Sequence, residues 1–460
     1  MNFRPNSTAA RDVAYHIHPI TNMRAHEKTG PLVIVRGEGV RVFDESGKDY
    51  IEGLAGLWCA ALGFSEPRLV DAATRAMKRL PYYHVYSSKT SDTIADLAER
   101  LISIAPKPMA KVFFANSGSE ANDTAIKMIW YYNNSLGRPK KKKIISRVMA
   151  YHGGTLGAAS MTGIPGNHTA FDLPMPGFFH TDCPHYWRNG QPGESEDAYS
   201  TRLANNLEQL ILKEGPDTVA AFVAEPLLGA GGVIVPPALY YEKIQAVVRK
   251  YDLLFLADEV ICGFGRTGNW WGSQTFGITP DLVTCAKALT SAYLPMSAVM
   301  VSDKIYQVIA DQSAKLGRFG HGLTYGGHPV SAAVALEALK IYTERDIVGR
   351  VRGLAPKFQA GLKKLGQHPL VGEARGIGLI GAIELVKNKT TKEPFEKVGV
   401  LGEIASAFGH ERGVIARQAG DALCFAPPLI ITEGEVDEMF DRVGKALDDT
   451  LAEVKRRGGA

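Results

Sequence analysis

The sequence predicts an α/β protein: a large domain around a mostly parallel central sheet, and a smaller α+β domain built from both ends of the chain. Three observations carry this expectation. Between about residues 95 and 305, short apolar runs alternate with helical patterns. Those runs lack strict apolar–polar alternation, as strands covered on both faces do. The two ends of the chain read differently from the middle. The domain boundaries expected are 1–65 for the N-terminal part of the small domain, 66–330 for the large domain, and 331–460 for the C-terminal part of the small domain.

Taken in order, residues 32 to 57 hold hairpin-like pieces with Gly-Glu and Gly-Lys turns. "KVFFAN" (111–116) reads as a strand and precedes the helical "SEANDTAIKMIWYY"; "KIISRVM" (143–149) precedes a glycine-rich helix start. "TVAAFVAEP" (218–226) leads into "ALYYEKIQAVVRKY", and "LLFLADEV" (253–260), "LVTCA" (282–286) and "SAVMVS" (297–302) complete the apolar runs. Beyond residue 330 come a long helix, the strand-like "GIGLIGAIELV", a further helix and a final amphipathic helix. In sheets of this kind ligands sit at the carboxyl ends of the strands, which says where to look for chemistry.

Bulk properties exclude several function classes. The 460 residues are 45% hydrophobic and 22% charged, an ordinary globular composition. Lys plus Arg number 52 against 48 Asp plus Glu, a net charge of +4, which suggests neither a nucleic-acid nor a membrane partner. The basic run Lys140 to Lys143 reads as a solvated loop. The five cysteines are scattered with no C-x-x-C pair, and three beside apolar or glycine-rich stretches read as small core residues, which suits a reducing compartment. The segment "MNFRPNSTAARD" lacks the apolar stretch of a secretory signal, and Pro226–Tyr241 carries too many prolines and glycines to span a bilayer. The cytosol is the expected location.

The strand ends carry a constellation. After the first strand, Ser117, Gly118 and Ser119 stand where a helix begins, so free N–H groups and hydroxyls there form a phosphate cradle or a plain N-cap. After the second, Tyr151 is followed by His152 and a glycine pair that admits a ligand; the ring can stack on a planar cofactor or fill the core. The third strand ends at Glu225 and the fourth at Asp258. After the fifth comes Lys287, in "PDLVTCAKALTSAYLP" the one charged residue after Asp281. Burial disfavours a charged amine, lowers its pKa and makes it a nucleophile; a snorkelling surface lysine is the bland alternative. "GFGRTG" (263–268) matches a dinucleotide-binding turn, but Asn269, Trp270, Trp271 and Gly272 do not open an amphipathic helix, so a nicotinamide cofactor is set aside.

Together, "EGLAGLWCAALGF", "SGSEAND", "YHGGT", "DEVICGFGRTG", "CAKALTSAYLP", "GLTYGGHP" and "IARQAGD" resemble the class III (omega) aminotransferases, pyridoxal 5′-phosphate enzymes of fold type I, over nearly the whole chain. The resemblance implies that Lys287 forms an imine with the cofactor and then shuttles a proton. It implies that Asp258 pairs with the ring nitrogen, and that Glu225 lies near the phenolic oxygen. Tyr151 and Val260 would pack the two ring faces, with Ser117, Gly118 and Ser119 at the phosphate. Thr324 from a neighbouring subunit would assist there, implying a homodimer with shared active sites and leaving open whether dimers pair into tetramers. His321 is expected to be structural.

Arg417 stands where pyruvate-dependent amine transaminases keep a mobile arginine that grips the carboxylate of pyruvate or alanine. Trp58 resembles the aromatic wall of their amine pocket, with Tyr151 also facing substrate. Leu323 departs from the pattern, since relatives carry an aromatic there, and implies a wider pocket. The reading is an amine:pyruvate transaminase working in two half-reactions. Its rivals are diamine, taurine or β-alanine:pyruvate aminotransferases, a pyridoxal-phosphate aminomutase or racemase, and an inactive protein of the same fold.

Overall fold

The computed structural model describes residues 3 to 458; the outermost ends of the first and last domain segments expected above, residues 1–2 and 459–460, lie outside it. Strands β1 (Ile34–Glu38), β2 (Arg41–Asp44) and β3 (Asp49–Glu52) form an antiparallel meander near the N-terminus. The central strands are β4 (Met109–Ala115), β5 (Lys143–Arg147), β6 (Phe178–Thr181), β7 (Val219–Ala224), β8 (Leu254–Asp258), β9 (Leu282–Cys285) and β10 (Ser297–Ser302). They lie in the order β4-β10-β9-β8-β7-β5-β6. Neighbours from β9 to β6 run parallel, and β10 is antiparallel to both β4 and β9.

Every residue of β7, β8, β9 and β10 is buried, which is why these segments read as unbroken apolar runs. Successive residues go to opposite faces. Phe222 and Ala224 pack with Tyr199, Leu203 and Ile244, whereas Ala221 and Val223 pack with Ala121, Ala125 and Ile129 of the helix Gly118–Ser135.

The C-terminal strands are β11 (Val371–Ile377), β12 (Ile380–Leu385), β13 (Val414–Ile415), β14 (Arg417–Ala419) and β15 (Ala422–Phe425). Four of them form an antiparallel sheet in the order β11-β12-β15-β14, while β13 joins β3 in parallel and so continues the N-terminal meander. This pairing joins the two ends of the chain. Among the described residues, no helix is long and apolar enough to cross a membrane.

Candidate active site

In the central sheet β9, β8, β7 and β5 are consecutive neighbours, so the segments leaving their carboxyl ends stand side by side. Lys287 follows β9, Asp258 ends β8, Glu225 follows β7, and Tyr151 and His152 follow β5. The strand order therefore brings together residues far apart in the chain.

Lys287 opens a short 3-10 turn, Lys287–Leu289, with φ of 51°. A left-handed backbone at a lysine is strained and persists only where the surroundings enforce it. Here the Tyr342 hydroxyl donates to the Ala288 carbonyl at 2.7 Å, and Ser291 Oγ accepts from the Leu62 N–H at 2.9 Å. The Lys287 side chain keeps only partial access to water. Desolvation is the largest influence on its amine and holds it below the ordinary lysine value; Cys59, Asp258 and Glu225 oppose the shift, and Arg417 adds to it. Burial defeats the snorkelling alternative.

Asp258 is 2% exposed. Its Oδ2 accepts from Asn122 Nδ2 and from His152 Nδ1, both at 2.8 Å, and Oδ1 accepts from the Val260 N–H at 3.1 Å. Asn122 is itself fixed: Nδ2 also donates to the His152 carbonyl at 2.7 Å, and Oδ1 accepts from the Thr284 hydroxyl at 2.9 Å. A carboxylate accepts about four hydrogen bonds, so Oδ1 retains capacity for one more donor. Glu225 is held by the Tyr151 N–H on Oε1 at 3.0 Å and the Gly229 N–H on Oε2 at 2.9 Å. Desolvation raises its pKa, an effect that His152 counters.

The helix Gly118–Ser135 is capped by Ser117, whose side chain accepts from the Glu120 N–H at 3.2 Å. The Ser117 hydroxyl is thus committed to the cap. Ser119 Oγ accepts from the Gly154 N–H at 3.0 Å and ties the helix start to the glycine pair after Tyr151. A Cβ at Gly118 would come within 3.1 Å of Val260, so the glycine lets that valine close in. The first N–H groups of the helix have no intrahelical acceptor, and with the helix dipole they favour an anion.

Trp58 and Arg417 lie on other elements, and the charge of Arg417 acts on the Lys287 amine. Ala55, Gly56 and Trp58 have φ of 52°, 74° and 67°, a strained loop held by buried Glu52, whose Oε1 accepts from the Leu54 N–H at 3.0 Å. Glu52 pairs in register with Ile415, next to Ala416 and Arg417. Trp58 packs in one apolar cluster with Ala422 and Cys424 of the hairpin that Arg417 begins. Trp58 Nε1 and Arg417 Nε are buried donors without acceptors among the described residues. Unsatisfied buried donors mark a place that a polar ligand completes.

Two expected residues lie on a different patch. The Tyr82 hydroxyl donates to the carbonyl of exposed Thr324 at 2.7 Å, and a Cβ at Gly322, next to half-buried Leu323, would fall 2.7 Å from the Tyr86 ring. Tyr82, Tyr83, Tyr86 and Tyr325 are all exposed there. His321 is held by Thr124 Oγ1 at 2.9 Å and Lys127 Nζ at 2.8 Å and stacks on Phe113, a structural arrangement. The "GFGRTG" segment has its own explanation. Buried Arg266 donates to the Leu379 carbonyl at 3.0 Å and the Pro427 carbonyl at 2.5 Å, fastening the segment after the central strand β8 to the C-terminal segments.

These residues fit pyridoxal phosphate: a desolvated amine, a buried carboxylate with room for one donor, an N–H cradle, and the orphaned buried donors of Trp58 and Arg417. Asn122, Thr284 and Glu52 were missed in the sequence. Asn122 carried a signal, because it lies on the apolar stripe with Ala125, Ile126 and Ile129, where a polar residue needs a partner.

Residues 23–447 match the model of a family described as Aminotransferase class-III. Gamma aminobutyrate transaminase 1, a mitochondrial protein of Solanum lycopersicum, is 56% identical over 92% of this chain and 83% of its own length. The omega transaminase from Pseudomonas jessenii, solved in complex with PMP, is 54% identical with a TM-score of 0.97, covering 98% of this chain and 99% of that one. A thermostable omega transaminase variant, substituted at its positions 58, 86 and 417 and engineered for asymmetric synthesis of enantiopure bulky amines, is 53% identical with a TM-score of 0.96, covering 97% of this chain and all of that one.

Proposed function

The chain belongs to the class-III aminotransferases, which use pyridoxal phosphate, and on that premise we propose that it moves an amino group from a primary amine to pyruvate. The amine leaves as a ketone or aldehyde and pyruvate leaves as alanine, in two half-reactions that share one site. The observation that carries the choice of pyruvate is Arg417, whose buried Nε lacks an acceptor and whose charge acts on Lys287. A planar guanidinium grips a small carboxylate by two parallel hydrogen bonds.

When bound, pyridoxal phosphate supplies the aldehyde that takes the amino group and a ring that accepts the electron pair left by the departing proton. The chain's residues supply the rest. Lys287 Nζ is the base that would take that proton from the substrate carbon and hand it on to the cofactor, a role that suits an amine held below the ordinary lysine value by desolvation. Asp258, held by Asn122 and His152, would face the ring nitrogen and keep positive charge there. Gly118 and Ser119 N–H groups hold the phosphate, with the Ser119 hydroxyl and the Ser117 cap fixing the helix start. Tyr151 and Val260 bracket the ring, and Glu225 holds the Tyr151 backbone beside it. Trp58 walls the amine pocket.

Exposed Thr324, half-buried Leu323 and the exposed tyrosines around them complete the site of a second copy, giving a homodimer. Residues 1–65 and 331–460 act as one small domain around β3 and β13. Five free thiols suit a reducing compartment, and we place the protein in the cytosol.

The tomato relative is named for 4-aminobutyrate, which favours that compound as a second donor reading. A panel of primary amines with pyruvate, followed by alanine formation, separates the two. An arylalkyl amine outpacing 4-aminobutyrate supports the amine reading, and the reverse order supports the relative's substrate. Alanine from neither removes both.

A further inference from the structure

Away from the Lys287 cleft, three imidazoles converge on one carboxylate near the start of the chain. His16 Nδ1 lies 3.1 Å from Asp12 Oδ1, while His18 Nε2 and His26 Nε2 lie 2.7 Å and 3.0 Å from Asp12 Oδ2. Ring centroids of His16 and His18 are 4.3 Å apart, as are those of His18 and His26. The candidate ligand atoms of Asp12, His16 and His18 all lie within 4.8 Å of one another. A zinc ion with bonds of about 2.0–2.1 Å places tetrahedral ligands roughly 3.3 Å apart. Small side-chain rotations close that gap.

A lone carboxylate does not require three imidazoles in mutual contact. A divalent ion accounts for the convergence, because imidazole nitrogens and a carboxylate oxygen present lone pairs to it. Helices Thr8–Tyr15 and Met23–Thr29 bury none of their residues within the chain, so among the described residues this arm has no apolar core of its own. Segments without a core are commonly held by a metal or a cross-link. Asp12 comes from the first helix, His16 and His18 from the connection, and His26 from the second helix, so one ion would join all three pieces.

A second cluster, of one histidine and two carboxylates, shows the contrast. His185 faces Glu373 and Glu384, but Arg375 Nη1 already lies 2.6 Å and 2.7 Å from those carboxylates, and Arg188 reaches Glu384 at 2.8 Å. That negative charge is neutralised by arginine. At Asp12 the convergent partners are all histidines.

We propose that Asp12, His16 and His18 bind a divalent transition-metal ion of zinc's coordination chemistry, with His26 donating to Asp12 to orient it, and that the ion fastens the N-terminal arm. Two nitrogens and one carboxylate oxygen suit zinc, cobalt or nickel and disfavour calcium and magnesium, which take oxygen shells. Water completes the coordination.

The test uses tag-free holoprotein, stripped with a chelator and titrated calorimetrically with zinc chloride. One zinc per chain is expected, together with tetrahedral ligand-field bands when Co2+ replaces it. The double variant His16→Gln, His18→Gln should bind at least tenfold more weakly and lose the rise in melting temperature that zinc confers on the parent. Its cofactor absorbance and zinc-free melting should match the parent, which separates a lost site from a lost fold. A variant that melts early leaves the decision to the parent's stoichiometry and cobalt spectrum. Absence of saturable binding by the parent, equal affinity in the double variant, or loss of binding on Glu373→Gln instead would overturn the proposal.

Discussion

Arg417 and Lys287 make the most specific demands on single side chains. Truncating Arg417 to alanine should raise the KM for pyruvate at least tenfold and leave that for an uncharged amine within about twofold, because a charge-assisted bidentate contact is worth about 1.5–3 kcal/mol. Equal loss for both substrates would show that Arg417 supports the fold rather than the acceptor. Lys287 carries a pH signature in the apoprotein. Its folded pKa lies below 10.5, so between the two values the unfolded chain binds the proton more tightly. Stability should therefore rise with pH across that window, and Lys287→Met should flatten the dependence in thermal melting. Lys287, Asp258 and Glu225 were legible in the sequence because each is a polar residue ending an apolar run. Asn122 and Thr284 were not, since their roles exist only where a helix start meets two strands.

Among elements, the loop carrying Trp58 combines strain with a buried acid. Desolvation raises Glu52 from 4.5 to about 7 despite the N–H groups of Leu54 and Gly56. A raised carboxyl keeps its proton in the folded state while the unfolded chain has lost it, so stability falls as pH rises from 4.5 to about 7, by roughly 3 kcal/mol in total. Glu52→Gln should remove much of that slope from the melting temperature. It should also change KM more than kcat for bulky amines, since the amide still accepts from Leu54 but leaves the Gly56 N–H without a carboxylate. An unchanged slope would mean that another acid carries it, buried Glu259 being next in line with its own value raised to about 7. Arg266→Ala should cost about 3 kcal/mol or more, because two buried carbonyls lose a charged donor; full stability in denaturant titration would contradict its role as a fastener. The strand windows fell within two or three residues of β4, β5, β7, β8, β9 and β10, because two-sided burial leaves an unmistakable apolar run. The edge strand β6, Phe178–Thr181, escaped notice: four residues of mixed polarity flanked by proline-rich loops show neither a long run nor an alternation.

For the molecule as a whole, the two ends of the chain meet in one sheet through β3 and β13, and the central sheet gathers four strand ends into one site. The exposed Tyr82–Tyr325 patch carrying Thr324 and Leu323 completes the second copy's site in the proposed dimer. Replacing Leu323 by phenylalanine should lower the ratio of bulky-amine to small-amine rates; an unchanged ratio would remove that residue from the pocket. The claim on which the rest depends is that the cofactor is carried by Lys287. Reduction of the holoprotein with sodium borohydride, followed by proteolysis and mass mapping, tests it most directly. The pyridoxyl group should be found on the peptide containing Lys287, and Lys287→Ala should take up no label while keeping its fold and abolishing turnover. A label on any other lysine, or none at all in the reduced parent protein, would contradict the account.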